Sequence, residues 1–172
     1  MSRLPVTAPG MDADAVAAIL LARQRAIVAA PVGAPRPTES LLTFDLGGVR
    51  HGIPIGDVRA VAALPPVTPL PHVAPPLSGL VAWRGTVVNL FAPGSLLGVE
   101  AGTPTAMILL RHDAPRIALS VDALHGVVAA VADPTAPATL ARSVESDDGR
   151  LTRIDTAALI AAFLPPSRLQ EG

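Results

Sequence analysis

Few side chains in this chain could carry chemistry, and their spacing supports little of it. The four histidines are His51, His72, His112 and His125. None stands in an H-E-x-x-H pattern or beside a second ligand type at metal-binding spacing, so each reads as a surface or structural histidine. Gly94-Ser95-Leu96-Leu97-Gly98 is not the Gly-x-Ser-x-Gly of a nucleophile elbow. Asp147-Asp148-Gly149 suits a hairpin turn, where adjacent acids diverge rather than cooperate. Gly47-Gly48 lacks the surroundings of a phosphate loop. There is no cysteine, which removes disulfides, thiolate metal sites and cysteine nucleophiles. All 13 basic residues are arginine, which removes the P-loop lysine and Schiff-base chemistry. These residues predict no catalytic, cofactor or metal site. Function then rests on binding, and Trp and Arg are the residues most enriched at binding hot spots. Trp83 and Arg84 are adjacent, beside Gly85.

The element that must hold those residues is Leu80 to Phe91. Two apolar arms, Leu80 to Trp83 and Val87 to Phe91, flank Arg84-Gly85 where the chain reverses. Glycine takes φ > 0 without steric penalty, so the stretch reads as a β-hairpin with Arg84 at its tip. An arginine on a turn is by default simply solvated. Trp83 is either a core residue or the apolar half of a contact.

The remainder of the chain repeats this design. Leu41 to Leu46, Gly47-Gly48 and Val49 to Ile55 predict another hairpin. Asp57 to Leu64 continues as a strand or a short helical piece, and a proline-rich stretch, Pro65 to Pro76, crosses the surface. Ser95 to Gly98 is a short helical turn or loop. Ala106 to Arg111 and Arg116 to Val121 form a third hairpin, and Asp122 leads into Leu124 to Val128. Leu140 to Val144 and Arg150 to Ile154 form a fourth around Asp147-Asp148-Gly149. Asp155 or Thr156 caps a helix through Phe163, which Pro165-Pro166 ends. At the N-terminus, Asp12 or Asp14 caps a helix reaching about Ala30, and Pro31 to Glu39 is a linker. Leu42 to Val61 matches Met107 to Val127 in organisation, and Val87 to Leu97 matches Leu151 to Leu159. The chain is a weak internal repeat of β-rich modules, and several short strands favour closed barrels because closure removes edges.

Totals narrow the class. The chain has 172 residues, half of them hydrophobic, with a net charge of −1. Nothing in that balance draws the protein to nucleic acid or to an anionic membrane. One Trp, three Phe and no Tyr offer no platform for stacking bases. The apolar run Ala15 to Ala22 is too short to span a bilayer, and Asp12 and Asp14 stand where a signal peptide carries positive charge. The expectation is a soluble cytoplasmic protein.

Residues 40–164 resemble the CheW-like domain, the coupling module of bacterial chemotaxis arrays. The resemblance rests on Leu42-Thr43-Phe44 with Gly47-Gly48 and Ile53-Pro54-Ile55; on Asp57-Val58 with Val61; on Thr68-Pro69-Leu70-Pro71; on Gly79-Leu80-Val81 with Arg84-Gly85-Thr86-Val87-Val88; and on Leu119-Ser120-Val121-Asp122 with Gly126-Val127. It implies a mainly β fold of two small five-stranded, SH3-like barrels sharing a core. It divides the chain into residues 1–39 (helix and linker), the domain at 40–164 and a tail at 165–172. The implied role is a non-enzymatic adaptor joining a CheA-type histidine kinase to methyl-accepting chemoreceptors, recruited to membrane-attached arrays without entering the membrane. The implied receptor contacts are Arg84, Gly85 and Trp83, and the implied kinase contacts are Val58 and Val61. The sequence departs from the family pattern at Ala60, often acidic there, at Asn89 in place of Asp, and at Trp83 in place of Leu. It also lacks the glycine expected around Ser143. A rival reading is a CheW-like module that senses a small molecule in another signalling pathway.

Overall fold

The computed structural model describes residues 35–100 and 102–165. The helix predicted near residues 12–30 lies outside them. Ten strands and two helices follow in order. β1 is Thr38–Leu46, β2 Val49–Pro54, β3 Val58–Ala63, β4 Leu77–Trp83 and β5 Thr86–Phe91. A one-turn helix, α1, spans Gly94–Leu97. The second half runs β6 (Ala106–Asp113), β7 (Arg116–Val121), β8 (Ala123–Val131), β9 (Ala141–Ser146), β10 (Gly149–Ile154) and α2 (Thr156–Phe163). The protein is mainly β, in two five-stranded sheets, as the sequence led us to expect. The stretch after Asp57 resolves as a strand, β3, preceded by a single 3-10 turn at Ile55–Asp57.

Local chemistry explains the turns. Gly47 and Gly48 both adopt positive φ (55° and 77°) between Leu46 and Val49, the last pair of the β1–β2 ladder. Two positive φ values in a two-residue loop make a type I′ turn, whose twist matches that of the strands. Asp155 caps α2, its Oδ1 accepting from the Ala158 amide at 2.8 Å.

The repeat seen in the sequence is also a repeat in the pairing. One sheet closes into a barrel in the order β1-β2-β10-β9-β8, and the other runs β3-β6-β7-β5-β4. Exchanging β1–β5 with β6–β10 converts one order into the other. Each half therefore lends its first two strands to the other half's sheet. The halves are joined by two antiparallel pairings, β1 with β8 and β3 with β6, and two parallel ones, β2 with β10 and β5 with β7, which need a long connection between the strands. In the second sheet β3 and β4 are the flanking strands, and Thr68 covers the β4 edge by exchanging backbone hydrogen bonds with Leu80 at 2.8 and 2.9 Å.

Three apolar clusters fill this frame. The largest lies between the sheets and joins Leu42, Phe44, Ile108, Leu119 and Ile154 to Leu159 and Phe163 of α2. Phe163 stacks on Phe91 with ring centroids 4.2 Å apart. A second cluster, of Val81, Val88, Leu90, Met107, Leu109 and Ala118, fills the β3–β7 sheet's own concavity. A third, of Leu41, Val128, Ala130, Val144 and Leu151, fills the barrel. Alternation along β5 feeds two of them: Val88 and Leu90 point one way and Phe91 the other.

Candidate protein-binding site

The β4–β5 hairpin ends on the pair Trp83–Thr86, leaving Arg84 and Gly85 as a two-residue loop. Both have positive φ, 47° at Arg84 and 75° at Gly85. This is again a type I′ turn, for which Asn-Gly or Gly-Gly is the favoured pair. An L-residue in the left-handed region costs about 1–2 kcal/mol through its Cβ. Among the described residues only His72 and Arg84 are non-glycines held this way. Arg84 thus occupies a backbone position where glycine is cheaper, and its side chain makes no bond that the fold requires. Its guanidinium carbon lies 5.0 Å from the Trp83 ring centroid, and the residue is exposed. Backbone outliers of this sort concentrate at functional sites.

Trp83 lies at the edge of the core. It is half-buried, and it packs its ring against the second apolar cluster. The same ring carries Arg84, a cation–π contact worth about 0.5–1 kcal/mol at an exposed site. Gly85 is exposed, and a Cβ there would meet nothing within 4 Å. Its role is conformational.

Further arginines gather at this end of the sheet, and no motif had singled them out. The ladders pair Val58 with Leu110, Asp113 with Arg116 and Trp83 with Thr86, so β3, β7 and β5 all start where β6 and β4 finish. Arg59, Arg111 and Arg116 therefore share an end with Arg84. Arg59 is paired with Asp113 through Nη2 and Oδ1. These arginines lie on β3, β6 and β7, which are neighbours in the sheet but not all consecutive in the chain, so the sequence alone does not group them. Asn89, on β5, donates from Nδ2 to the Arg116 carbonyl at 3.3 Å, a bond that an aspartate could not donate.

Val58 and Val61 are not brought to one surface. Val58 is 7% exposed and belongs to the core between the sheets, whereas Val61 is 46% exposed. A bulge between Val58 and Ala60 shifts the register, so that Val58 pairs with Leu110 and Val61 with Ile108; the difference between them is one of cover, not of facing. Val61 faces solvent, and Val58 is buried in the strand that carries it.

Three of the four histidines, His51, His112 and His125, make side-chain bonds within the fold. His51 is buried, its Nδ1 donating to the Val49 carbonyl at 2.8 Å, and burial holds the ring below its ordinary pKa. His112 Nδ1 donates to the Pro115 carbonyl at 2.7 Å. His125 Nε2 lies 2.8 Å from Asp45 Oδ2, and Arg50 Nε lies 2.9 Å from the other oxygen. Burial works against ionisation of Asp45, but hydrogen bonds from His125 and Arg50 outweigh it and hold the carboxyl below its usual range. Among the described residues no group of three or more His, Asp or Glu is placed to hold a metal ion. No helix among them is long and apolar enough to cross a membrane.

Comparison with known proteins bears on the fold and the family. The chain is similar to a solved structure of the scaffolding protein TtCheW from Thermoanaerobacter tengcongensis, with a TM-score of 0.60 and 19% identity over 72% of this chain and 92% of that one. At that identity the likeness speaks for the fold alone. No curated protein sequence matches the chain. The model of the CheW-like domain matches residues 40–161, most of the chain and nearly all of the two-sheet unit. The chain belongs to the CheW-like domain family.

Proposed function

We propose that this protein is a non-enzymatic cytoplasmic adaptor that couples a CheA-type histidine kinase to methyl-accepting chemoreceptors. The observation that carries the receptor half of this reading is Arg84: an exposed arginine, on a glycine-favouring turn, braced against the one tryptophan of the chain. Its side chain is displayed at a backbone cost that the fold does not need. The receptor contact consists of Arg84 on its Trp83 support, with Gly85 shaping the turn. The kinase contact consists of the outer side of β3 around Val61, positioned by buried Val58. Coupling is then geometric. One surface fixes the kinase, the other the receptor, and a change of packing at one is worth about 1–3 kcal/mol at the other, the usual range of allosteric coupling.

Sedimentation with receptor-bearing membranes tests the assignment of the two surfaces. Arg84→Ala is expected to lose receptor membranes while still binding the isolated kinase, and Val61→Glu the reverse. Equal loss of both partners in either variant would refute the division into two contacts.

A further inference from the structure

Two clefts flank the core, and the internal repeat relates them. The first, about 450 Å³, is bounded by the run into β6 (Gly102, Pro104), the start of β4 (Leu77, Ser78), the end of β5 and the first turn of α1. The second, about 310 Å³, is bounded by the run into β1 (Pro37, Glu39), the start of β9 (Arg142), the end of β10 (Arg153) and the α2 cap Asp155. Exchanging β1 for β6, β4 for β9, β5 for β10 and α1 for α2 turns one set of walls into the other.

The second cleft shows what this geometry holds. Arg153 donates from Nε and Nη2 to the two oxygens of Glu39 at 2.5 and 3.0 Å. Arg142 Nη2 lies 3.8 Å from the same carboxylate, and Arg153 Nη1 lies 3.8 Å from Asp155. These side chains are only 15–28% exposed. A guanidinium seated bidentately on a carboxylate, partly shielded from water, is a strong and oriented contact.

The first cleft has the carboxylates without the cation. Asp122 is fixed in place. Its Oδ2 accepts from the Gly47 amide at 2.6 Å, its carbonyl accepts from Thr105 Oγ1 at 2.6 Å, and its own amide donates to the Asp45 carbonyl at 3.0 Å. Glu100 stands on the same wall. Among the described residues no cation lies within ion-pair distance of Asp122 or Glu100. Gly102 passes so close to Asp122 that a Cβ would fall 2.0 Å from Oδ2. Any other residue there would intrude on the carboxylate. The opposite walls are apolar, formed by Val73, Pro75, Pro76, Leu77 and Pro93.

We propose that the first cleft binds a small organic cation, an amidinium, guanidinium or ammonium head on Asp122 and Glu100 with an apolar body against the proline wall. The volume lies within the roughly 300–1,000 Å³ of small-molecule sites, which pair apolar walls with a few placed polar groups. The site is separate from the Arg84 turn, so it adds a chemical input to the adaptor without drawing on either proposed partner contact.

Benzamidine is the probe, with benzamide and benzoate as neutral and charge-reversed controls of the same shape. Backbone amide NMR of the full chain is titrated to about 10 mM, deep enough to detect millimolar affinity. The expected result is saturable shifts confined to the first cleft for benzamidine, and none there for benzoate. Glu100→Gln and Asp122→Asn should each weaken binding about tenfold, the usual worth of a hydrogen bond to a charged group. Asparagine can still accept from the Gly47 amide, and Glu100 is exposed with no bond to lose, so at least one of these variants stays folded. Ser78→Phe, at an exposed position on the cleft wall, should block the site outright. Equal binding of benzamide or benzoate, shifts that map elsewhere, unchanged affinity in the folded variants, or no binding would each overturn the proposal.

Discussion

Replacing Arg84 by glycine separates display from stability. Three terms bear on the folded state. Glycine relieves the left-handed strain at φ 47°, worth about 1–2 kcal/mol. Loss of the guanidinium from the Trp83 face removes about 0.5–1 kcal/mol. Greater freedom of the unfolded chain removes a further 0.4–1 kcal/mol or so. The gain and the losses nearly cancel, so Arg84→Gly should leave stability within about 1 kcal/mol of the parent. For a domain of this size that is a shift in Tm of about 4 °C at most. Binding should behave differently, because hot-spot arginines cost about 2 kcal/mol or more when removed, a loss of roughly thirtyfold. The assay is direct. Trp83 is the one tryptophan and there is no tyrosine, so intrinsic fluorescence reports on this turn alone. Titration of the parent with a tryptophan-free receptor-tip fragment should change that emission saturably, and the same titration of Arg84→Gly should not. A fall in Tm of 10 °C or so would mean that Arg84 supports the fold. Undiminished binding at unchanged Tm would mean that the strained turn displays nothing a receptor reads. Either result would refute the reasoning.

Gly47 and Gly85 share a turn type but differ in surroundings. Gly85→Ala should cost about 1 kcal/mol of backbone strain alone, whereas a Cβ at Gly47 meets the Glu100 carbonyl at 2.4 Å and should cost about 3 kcal/mol; thermal melts of the two variants compare them directly. Val58→Ala should destabilise by about 2 kcal/mol, while Val61→Glu should leave Tm nearly unmoved and weaken capture of the kinase's regulatory domain, as read by calorimetric titration. His51 contributes to pH dependence with a definite sign. Its folded pKa is depressed by burial, so below its ordinary value the unfolded chain binds more protons than the folded one, and stability falls as pH drops below about 6.5. Denaturant melts at pH 7 and pH 5.5 should show that loss in the parent and a smaller loss in His51→Phe; an identical loss in both would remove His51 from the account.

Local order was legible wherever one hairpin contained its own explanation. Gly47-Gly48 and Arg84-Gly85 each announce a two-residue turn, and alternation on either side sets the strands. The α2 cap was legible in the same way, with Asp155 doing what its position suggested. What stayed hidden depends on residues far apart in the chain. The parallel joins pair His51 with Thr152 and Leu90 with Ala118, and nothing in either local pattern names its partner. The Glu39–Arg153 bridge spans 114 positions and is equally silent in sequence. The organisation of the halves pointed to duplication, but the exchange of strand pairs between them emerges only from the ladders. At the site, Arg84 was readable as the tip of a turn. The sign of its φ, and therefore its cost, follows from the type I′ geometry. Val58 and Val61 pair with Leu110 and Ile108, two apart on β6, yet one is covered and the other exposed; what covers a strand end comes from the rest of the fold and is not written in the strand itself.

The two proposed contacts also sit on parts of different stiffness. Val61 stands on a strand whose neighbours on β6 are fully buried, while Arg84 rides on an exposed loop with one aromatic brace. In the sheet, the β4–β5 hairpin that carries Arg84 connects to β3 through β7 and β6. The path from Arg84 to Val61 thus runs within a single sheet.

The central claim is that one molecule bridges receptor and kinase. Its most direct test is a three-component sedimentation: receptor-bearing membranes, CheA-type kinase and this protein, with the kinase in the pellet measured as the protein is added. The account predicts that kinase recovery rises with added protein to saturation, and that Arg84→Gly, folded and still able to bind kinase, fails to raise it. Kinase recovery that ignores the protein, or that the Arg84→Gly variant raises as well as the parent does, would contradict it.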